Sequence, residues 1–191
     1  FQYLPLALPD DGSIDFSYNI TDNDGDTKVG HFAVAPYSPP NFRDDIDLFV
    51  SEEGQYPSGI EDDVALNGFL DTTDSSSDWG HLTNGENIDS ATLGIPNVTL
   101  TSNDTVVEWS LTNNDQSLLG KVDGNLILEI TINDSGTVNT ELYGPIDHAN
   151  PSGEDALELL VPVNVSNELG HTNTIDVPVV IEDDSPNSLT I

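Results

Sequence analysis

Apolar and polar residues alternate with a period of two along much of this chain. The alternation is most regular in residues 107–111, 126–132, 157–165 and 175–181, and residues 14–20 repeat it near the start. Successive side chains of a β-strand point to opposite faces, so this period predicts strands with one buried face. No segment has the sustained period of about 3.6 residues that is typical of an amphipathic helix. We therefore predict an all-β fold, an antiparallel β-sandwich with Greek-key connections and very little helix.

Turn-forming residues separate the predicted strands. Asp123-Gly124-Asn125 and Asn133-Asp134-Ser135-Gly136 fall between alternating segments, where a hairpin needs a tight turn. Between residues 60 and 100 the alternation is weaker, and residues 71–89 form one long polar stretch. A polar loop of this length is usually either functional or disordered. We therefore treat residues 71–89 as a candidate ligand-binding loop.

The length and the proline pattern suggest the domain organisation. The 191 residues suffice for one large β domain, and Tyr37-Ser38-Pro39-Pro40-Asn41 has the composition of a linker or a sharp crossover. Residues 17–41 and 163–187 share the same order of strand, polar loop, strand and Pro-Asn ending. We predict a single β-sandwich module over residues 1–191, with a candidate internal boundary near residues 37–43 and with residues 44–186 matching one repeat unit.

A loop with three carboxylates joins the first two predicted strands. Asp22, Asp24 and Asp26 stand at alternate positions of this loop. Carboxylates about 4 Å apart repel by roughly 4 kcal/mol at an effective dielectric near 20. Ca2+ would remove that repulsion, because it accepts about six to eight oxygen ligands in irregular geometry. The same residue types are also typical of an ordinary acidic hairpin turn.

The charge of the chain restricts its partners. Thirty-five acidic residues against 3 basic ones give a formal net charge of -32, which leaves no basic patch for phosphates and disfavours nucleic acid and anionic membranes as partners. The chain has no cysteine, so we expect several Ca2+ ions to supply the rigidity that disulfides give elsewhere. Outside the 22–26 loop, the candidate calcium ligands are Asp10, Asp11, Asp147, Asp155, Asp183 and Asp184.

Four sequence motifs resemble a known protein family. They are Asp22-Asn23-Asp24-Gly25-Asp26-Thr27, Gly144-Pro145-Ile146-Asp147-His148, Glu154-Asp155-Ala156-Leu157 and residues 179–186. Together they resemble the repeat modules of giant RTX adhesins, which type I systems secrete. The resemblance implies calcium-bound β-sandwiches, similar to immunoglobulin and cadherin domains, strung from a bacterial surface and active in cell adhesion and biofilms. Since the chain begins at Phe1 rather than Met, we expect it to be an excised part of such a protein.

The segment of residues 41–104 has no counterpart in these repeat modules and favours a ligand-binding role. The chain is similar in size to the calcium-dependent peptide-binding domain of these adhesins, which the resemblance implies grips the carboxyl terminus of a host surface protein. A calcium ion with an open position would admit a carboxylate to this acidic surface. The candidate ligand-binding residues are Asp71, Asp74, Asp78, Trp79 and His81.

Other interpretations of the same residues stay open. Trp79 is as typical of a small satellite core as of a ligand contact, and a passive spacer or a sugar-binding module would have the same composition. Asp147 and His148 are either a metal-ligand pair or an acid/base dyad, or they belong to a loop in which Asp147 binds calcium and His148 hydrogen-bonds the backbone. Four scattered histidines with no repeated spacing do not indicate a zinc site. No catalytic motif is present, so we predict that the protein is not an enzyme.

Overall fold

The computed structural model describes residues 14–34, 38–43, 45–46, 48–54, 74–83, 87–149 and 155–184. Three of the candidate site residues, Asp10, Asp11 and Asp71, lie outside these described residues. The chain divides into two compact units, Phe1–Ser38 and Pro39–Ile191. Whether this division coincides with a repeat boundary stays a prediction.

The described part of the first unit is a hairpin of β1 (Ile14–Thr21) and β2 (Thr27–Val34). The two strands pair without a bulge from Ile14 opposite Val34 to Thr21 opposite Thr27. Cross-strand aromatic pairing supports this register, because the rings of Phe16 and Phe32 stack with their centroids 5.0 Å apart. The register places the acidic loop of residues 22–26 at the tip.

The second unit contains two main sheets. Its strands are β3 (Leu48–Ser51), β4 (Ser76–Trp79), β5 (Ser90–Leu93), β6 (Thr101–Ser102), β7 (Thr105–Val106), β8 (Glu108–Thr112), β9 (Ser117–Val122), β10 (Asn125–Ile132), β11 (Val138–Leu142), β12 (Ala156–Ser166) and β13 (Thr172–Glu182). One sheet has the order β4-β11-β10-β9-β8 and the other the order β3-β13-β12-β5, while β6 and β7 form a separate pair. The predicted all-β, sandwich-like fold is therefore confirmed.

A single hydrophobic core includes residues of both main sheets. Leu128 and Ile130 of β10 are fully buried, as are Leu159 and Val163 of β12. These residues occupy alternate positions of their strands, as the period of two requires. Burying each such side chain contributes about 1.5–3 kcal/mol. Trp109 also packs against this core, as its alternation with Val107 and Leu111 suggests.

One pairing in the smaller sheet is parallel. β13 runs antiparallel to β12 but parallel to β3, with Glu182 opposite both Ala156 and Ser51. The carboxyl ends of β3 and β13 therefore meet at the same edge of the sheet, where β12 begins. A short 3-10 helix, Glu52–Gly54, follows β3 directly. This pairing brings acidic residues from three distant parts of the chain to one end of the sheet.

Three hairpin loops share one backbone arrangement. In residues 22–26, 133–137 and 167–171, the first residue donates its N–H to the carbonyl of the fifth, and a glycine in fourth place has a positive φ. In each loop the first side chain, an Asp or Asn, accepts the N–H of the fifth residue. Glycine tolerates this left-handed conformation because it has no Cβ.

The described residues contain no helix long and apolar enough to cross a membrane.

Candidate functional site

Two groups of side chains have the composition of a metal site among the described residues. The first, called here the hairpin-tip trio, is Asp22, Asp24 and Asp26. The second, called here the sheet-end cluster, is Glu52, His148 and Asp183. Within each group, one ligand atom of every residue lies within 4.8 Å of one from each of the others. The sequence predicted the first group directly, whereas the second assembles only in the folded chain.

The hairpin-tip trio is exposed to solvent. All three aspartates are exposed, and Asp22, Asn23 and Asp24 line an open surface depression. Hydrogen bonding, first with the Asp24 side chain and also with backbone N–H groups, lowers the pKa of Asp22. The trio therefore offers only oxygen donors and open access, a combination that fits Ca2+.

The backbone of this loop does not depend on the three carboxylates. The loops of residues 133–137 and 167–171 adopt the same arrangement with other residues in third and fifth place, namely Ser135 and Thr137, or Leu169 and His171. The turn geometry is therefore a property of the Asx residue and the glycine. What distinguishes the first loop is the concentration of charge at its tip.

The sheet-end cluster is assembled by strand ends. Glu52 follows β3, Asp183 follows β13, and His148 lies in the segment after β11. The backbone N–H of Ile146 donates to Oε1 of Glu52 at 2.6 Å and holds that carboxylate in place. The same Oε1 lies 3.7 Å from Nε2 of His148. One carboxylate oxygen therefore joins the 3-10 turn to the segment that carries the histidine.

Two of the three side chains of this cluster, those of His148 and Glu52, are withdrawn from water, and Asp183 is half-buried. The imidazole of His148 is 2% exposed and the side chain of Glu52 is 9% exposed. Neither ring nitrogen of His148 has a hydrogen-bond partner among the described residues. A buried polar group without a hydrogen bond costs about 1–3 kcal/mol in folded proteins. The unsatisfied ring nitrogens therefore destabilise the folded chain unless the cluster binds a further partner.

Neighbouring charges perturb the ionisation of the cluster. Burial by itself lowers the pKa of His148, but the Glu52, Asp183 and Asp155 carboxylates outweigh it, and the net pKa is raised. Burial raises the pKa of Asp183; His148 opposes this, and Glu52 and Asp155 add to it. Two further carboxylates, those of Glu53 and Glu182, are buried next to these residues in the sequence.

No basic side chain neutralises these acids in the described part of the chain. Lys28, Arg43 and Lys121 are the 3 basic residues of the protein. Arg43 pairs with Asp45 at 2.6 Å, and none of the three forms an ion pair with the sheet-end cluster. Among the described residues, His148 is therefore the one side chain that can act as a cationic partner of these acids.

The other predicted metal ligands lie in different surroundings. Both oxygens of Asp147 accept backbone N–H groups, from Asn103 and Asp104, at 2.8 Å each. These two residues have positive φ values of 51 and 60 degrees, so Asp147 holds the turn between β6 and β7. Asp155 lies beside the sheet-end cluster, since its carbonyl accepts the N–H of Asp183 at 2.9 Å. Asp184 follows Asp183 and donates its N–H to Oδ1 of that residue.

The prediction of one continuous polar loop over residues 71–89 is wrong for Ser76–Trp79, which form strand β4 on the edge of the larger sheet. Asp74 and Asp78 are exposed and belong to neither metal-type group. Trp79 packs against the core, with the guanidinium of Arg43 5.5 Å from its ring centroid. Nδ1 of His81 lies 3.2 Å from the carbonyl oxygen of Ser135. Trp79 and His81 therefore each have a contact within the protein, and a ligand-binding role for these residues stays a prediction.

Glu52 is the site residue that the sequence analysis missed. The signal available for it was the Glu52-Glu53 pair directly after an apolar segment, a pattern shared with Glu182-Asp183-Asp184. Nothing in the sequence indicated that these two strand ends lie side by side.

Comparison with family models, with curated proteins and with solved structures gives no match for this chain.

Proposed function

We propose that this chain is a calcium-dependent ligand-binding module of a bacterial surface adhesin, secreted as part of a longer protein and acting outside the cell. The resemblance to RTX adhesin modules, the all-β fold and the net charge of -32 support this proposal. The protein is proposed to act by binding, not by catalysis. Its partners would be a peptide or protein on a host or neighbouring cell, together with adjacent modules of the same adhesin.

The observation that carries the proposal is the exposed hairpin-tip trio. Three carboxylates whose oxygens lie within 4.8 Å of one another repel strongly, and their exposure leaves the far side of the group open to solvent. Asp22, Asp24 and Asp26 would hold a Ca2+ ion here. The ion would supply a positive centre that a ligand carboxylate can reach on an otherwise negative surface.

The ligand that this chemistry suits is a peptide with a free carboxyl terminus. The net charge of the chain repels anions in general, so an acidic ligand needs a local cation. Trp79 and His81 are occupied by contacts within the protein, which favours the hairpin tip over residues 74–81 as the place of binding. A sugar with vicinal hydroxyl groups is the nearest alternative ligand for an exposed Ca2+ ion.

A passive extender module is the second candidate function. The packing of Trp79 against the core favours it, because a large aromatic side chain in the segment absent from spacers then has a structural role. An extender would bind calcium for rigidity and bind no peptide or glycan.

Binding measurements with matched ligands test the proposal. A peptide selected from an array is measured in its free-acid and C-terminally amidated forms, each with calcium and with chelator. We expect calcium-dependent binding of the free acid and at least about a tenfold loss on amidation, the loss of one charge-assisted contact. Asp24→Asn should weaken the calcium response, whereas Asp15→Asn, a change at an exposed aspartate on β1, should leave it unchanged.

Each other result has a defined meaning. Equal affinity for the acid and the amide contradicts a carboxylate bridge and favours an internal-peptide site. Calcium-dependent binding on a glycan array alone indicates a sugar-binding module. Calcium binding with no ligand on either array supports the extender.

A further inference from the structure

We propose that the sheet-end cluster binds one divalent transition-metal ion, with Zn2+ the ion that its donors favour, through Glu52, His148 and Asp183. This site is separate from the calcium site of the proposed function and uses a different kind of metal. It lies entirely within the unit Pro39–Ile191.

The first argument is the state of His148. Its imidazole is 2% exposed, both of its ring nitrogens are buried, and neither has a hydrogen-bond partner in the part of the chain that the structure describes. Buried polar groups in folded proteins are nearly always satisfied, so such an exception indicates an additional ligand. The nitrogen Nε2 lies 3.7 Å from Oε1 of Glu52, which is too long for a hydrogen bond. A metal ion between these two atoms would satisfy both.

The second argument is charge. Glu52, Asp155 and Asp183 all act electrostatically on the one imidazole, and no Lys or Arg of the described chain pairs with them. Even a protonated His148 would leave the group net negative. A divalent cation would neutralise the carboxylates that no basic side chain pairs with. Buried charges are stable only when they are paired or bound to a metal.

The third argument is geometry. Two ligand atoms about 2.1 Å from a tetrahedral Zn2+ ion are roughly 3.4 Å apart. The 3.7 Å between Nε2 of His148 and Oε1 of Glu52 is close to that separation. The Ile146 N–H bonded to Oε1 of Glu52 fits the orienting hydrogen bond that metal-bound carboxylates receive from outside the first shell.

The donor set selects among metals. Ca2+ and Mg2+ take oxygen ligands, so an imidazole buried at the centre of the group contributes nothing to their binding. One nitrogen and two carboxylates suit Zn2+, which is bound more tightly by such donors than Mn2+ or Fe2+. Because the cluster contains His148, it should bind zinc in preference to calcium, whereas a cluster of carboxylates alone would favour calcium.

Metal titration of the untagged, metal-stripped chain tests the proposal. We expect Zn2+ to bind at one site of this unit at least about a hundredfold more tightly than Ca2+, following the preference of imidazole ligands. Zn2+ should raise the melting temperature at concentrations where Ca2+ acts only through other sites. Co2+ as a probe should give visible absorption bands typical of a site with nitrogen and oxygen ligands.

Matched variants assign the ligands. His148→Gln, Glu52→Gln and Asp183→Asn should each weaken Zn2+ binding by at least about tenfold. The controls are His31→Gln, Glu158→Gln on β12 and Asp176→Asn on β13, each of which removes the same kind of group from an exposed position. In the metal-free state Glu52→Gln and Asp183→Asn should melt no lower than the parent chain, because each removes one charge from a net negative group and keeps a side-chain oxygen that can accept the backbone N–H. Loss of fold therefore cannot account for their loss of zinc binding.

Two results would overturn the proposal. One is unchanged zinc affinity in His148→Gln. The other is stabilisation by Ca2+ alone that Glu52→Gln removes and His148→Gln does not, which would assign a calcium site made of carboxylates.

Discussion

The backbone N–H of Asp183 donates to the carbonyl oxygen of Asp155 at 2.9 Å, one residue beyond the pairing of Glu182 with Ala156. This bond extends the β12–β13 ladder by a step and brings two carboxylates together at the end of the sheet. Glu52 arrives there from β3, whose parallel pairing with β13 ends at Ser51 opposite Glu182. The acidity of this sheet end is thus a consequence of strand pairing, and it concentrates charge where burial makes charge expensive.

Exchanging residues between two hairpin loops should separate turn geometry from calcium binding. Asp24→Ser combined with Asp26→Thr gives the first loop the residues that occupy third and fifth place in the loop of residues 133–137. Asp22 keeps its hydrogen bond to the N–H of residue 26, so we expect the hairpin to persist, with Phe16 still stacked on Phe32. Calcium affinity at the tip should fall at least about tenfold, because two charged ligands are lost.

Nuclear Overhauser contacts between the two rings and calorimetric titration of calcium measure the two effects. If the double variant bound calcium as the parent does, the hairpin-tip trio would not be the site. If the hairpin were lost, the carboxylates would have a structural role that the other two loops do not need.

Removing the Asp147 carboxylate should destabilise the second unit. Asp147→Ala leaves two backbone N–H groups, of Asn103 and Asp104, without their acceptors. We expect a loss of about 1–3 kcal/mol in the free energy of unfolding, measured in urea. Asp104→Asn is the control, since its side chain is exposed and Asn also tolerates a positive φ. Equal stability of the alanine variant and the parent would contradict the assigned role.

Trp79 should act as a structural side chain. It is half-buried against the core and lies beneath the Arg43 guanidinium, so Trp79→Ala should lower the free energy of unfolding by roughly 2 kcal/mol or more. Arg43→Gln should cost about 0.5–1 kcal/mol, the range of an exposed cation–π contact. Ligand affinity, measured on the folded Trp79→Ala variant, should be unchanged. A large loss of ligand affinity with little loss of stability would indicate instead that Trp79 takes part in ligand binding.

The phenol of Tyr143 should lose its proton at a higher pH than an ordinary tyrosine does. Hydrogen bonding to Glu141, partial burial and the charges of Glu141 and Glu129 raise the pKa of Tyr143 to about 12. The folded pKa lies above the unfolded value of about 10, so the phenol stabilises the fold at pH values below about 10. That contribution is lost as the pH rises through about 12.

Phenolate absorbance at high pH follows this titration. Tyr143 should contribute a late phase to this titration, and Tyr143→Phe should remove that phase. Glu141→Gln should shift it to lower pH, whereas Glu158→Gln, on an exposed position of β12, should leave it in place. A late phase that survives in Tyr143→Phe would assign it to another tyrosine.

Local pattern was sufficient to predict the long strands and their turns. The segments at 126–132, 157–165 and 175–181 became β10, β12 and β13, because a period of two depends only on which face of a strand is buried. The acidic group in the loop of residues 22–26 was equally predictable, since its three aspartates are close together in the sequence. Strand β4 could not be predicted in this way, because Ser76–Trp79 contains one large apolar residue and owes its conformation to pairing with β11.

Only the tertiary structure decided the sheet-end cluster. The sequence by itself determined that Glu52, His148 and Asp183 follow strands or turns, but each had a local environment consistent with an exposed loop. Parallel pairing of β3 with β13 and the Ile146 N–H then placed ligand atoms of the three residues within 4.8 Å of one another, with the side chains of His148 and Glu52 largely out of water. Parallel pairing joins segments far apart in sequence, and burial is a property of the whole packed unit, so no local pattern records either of them.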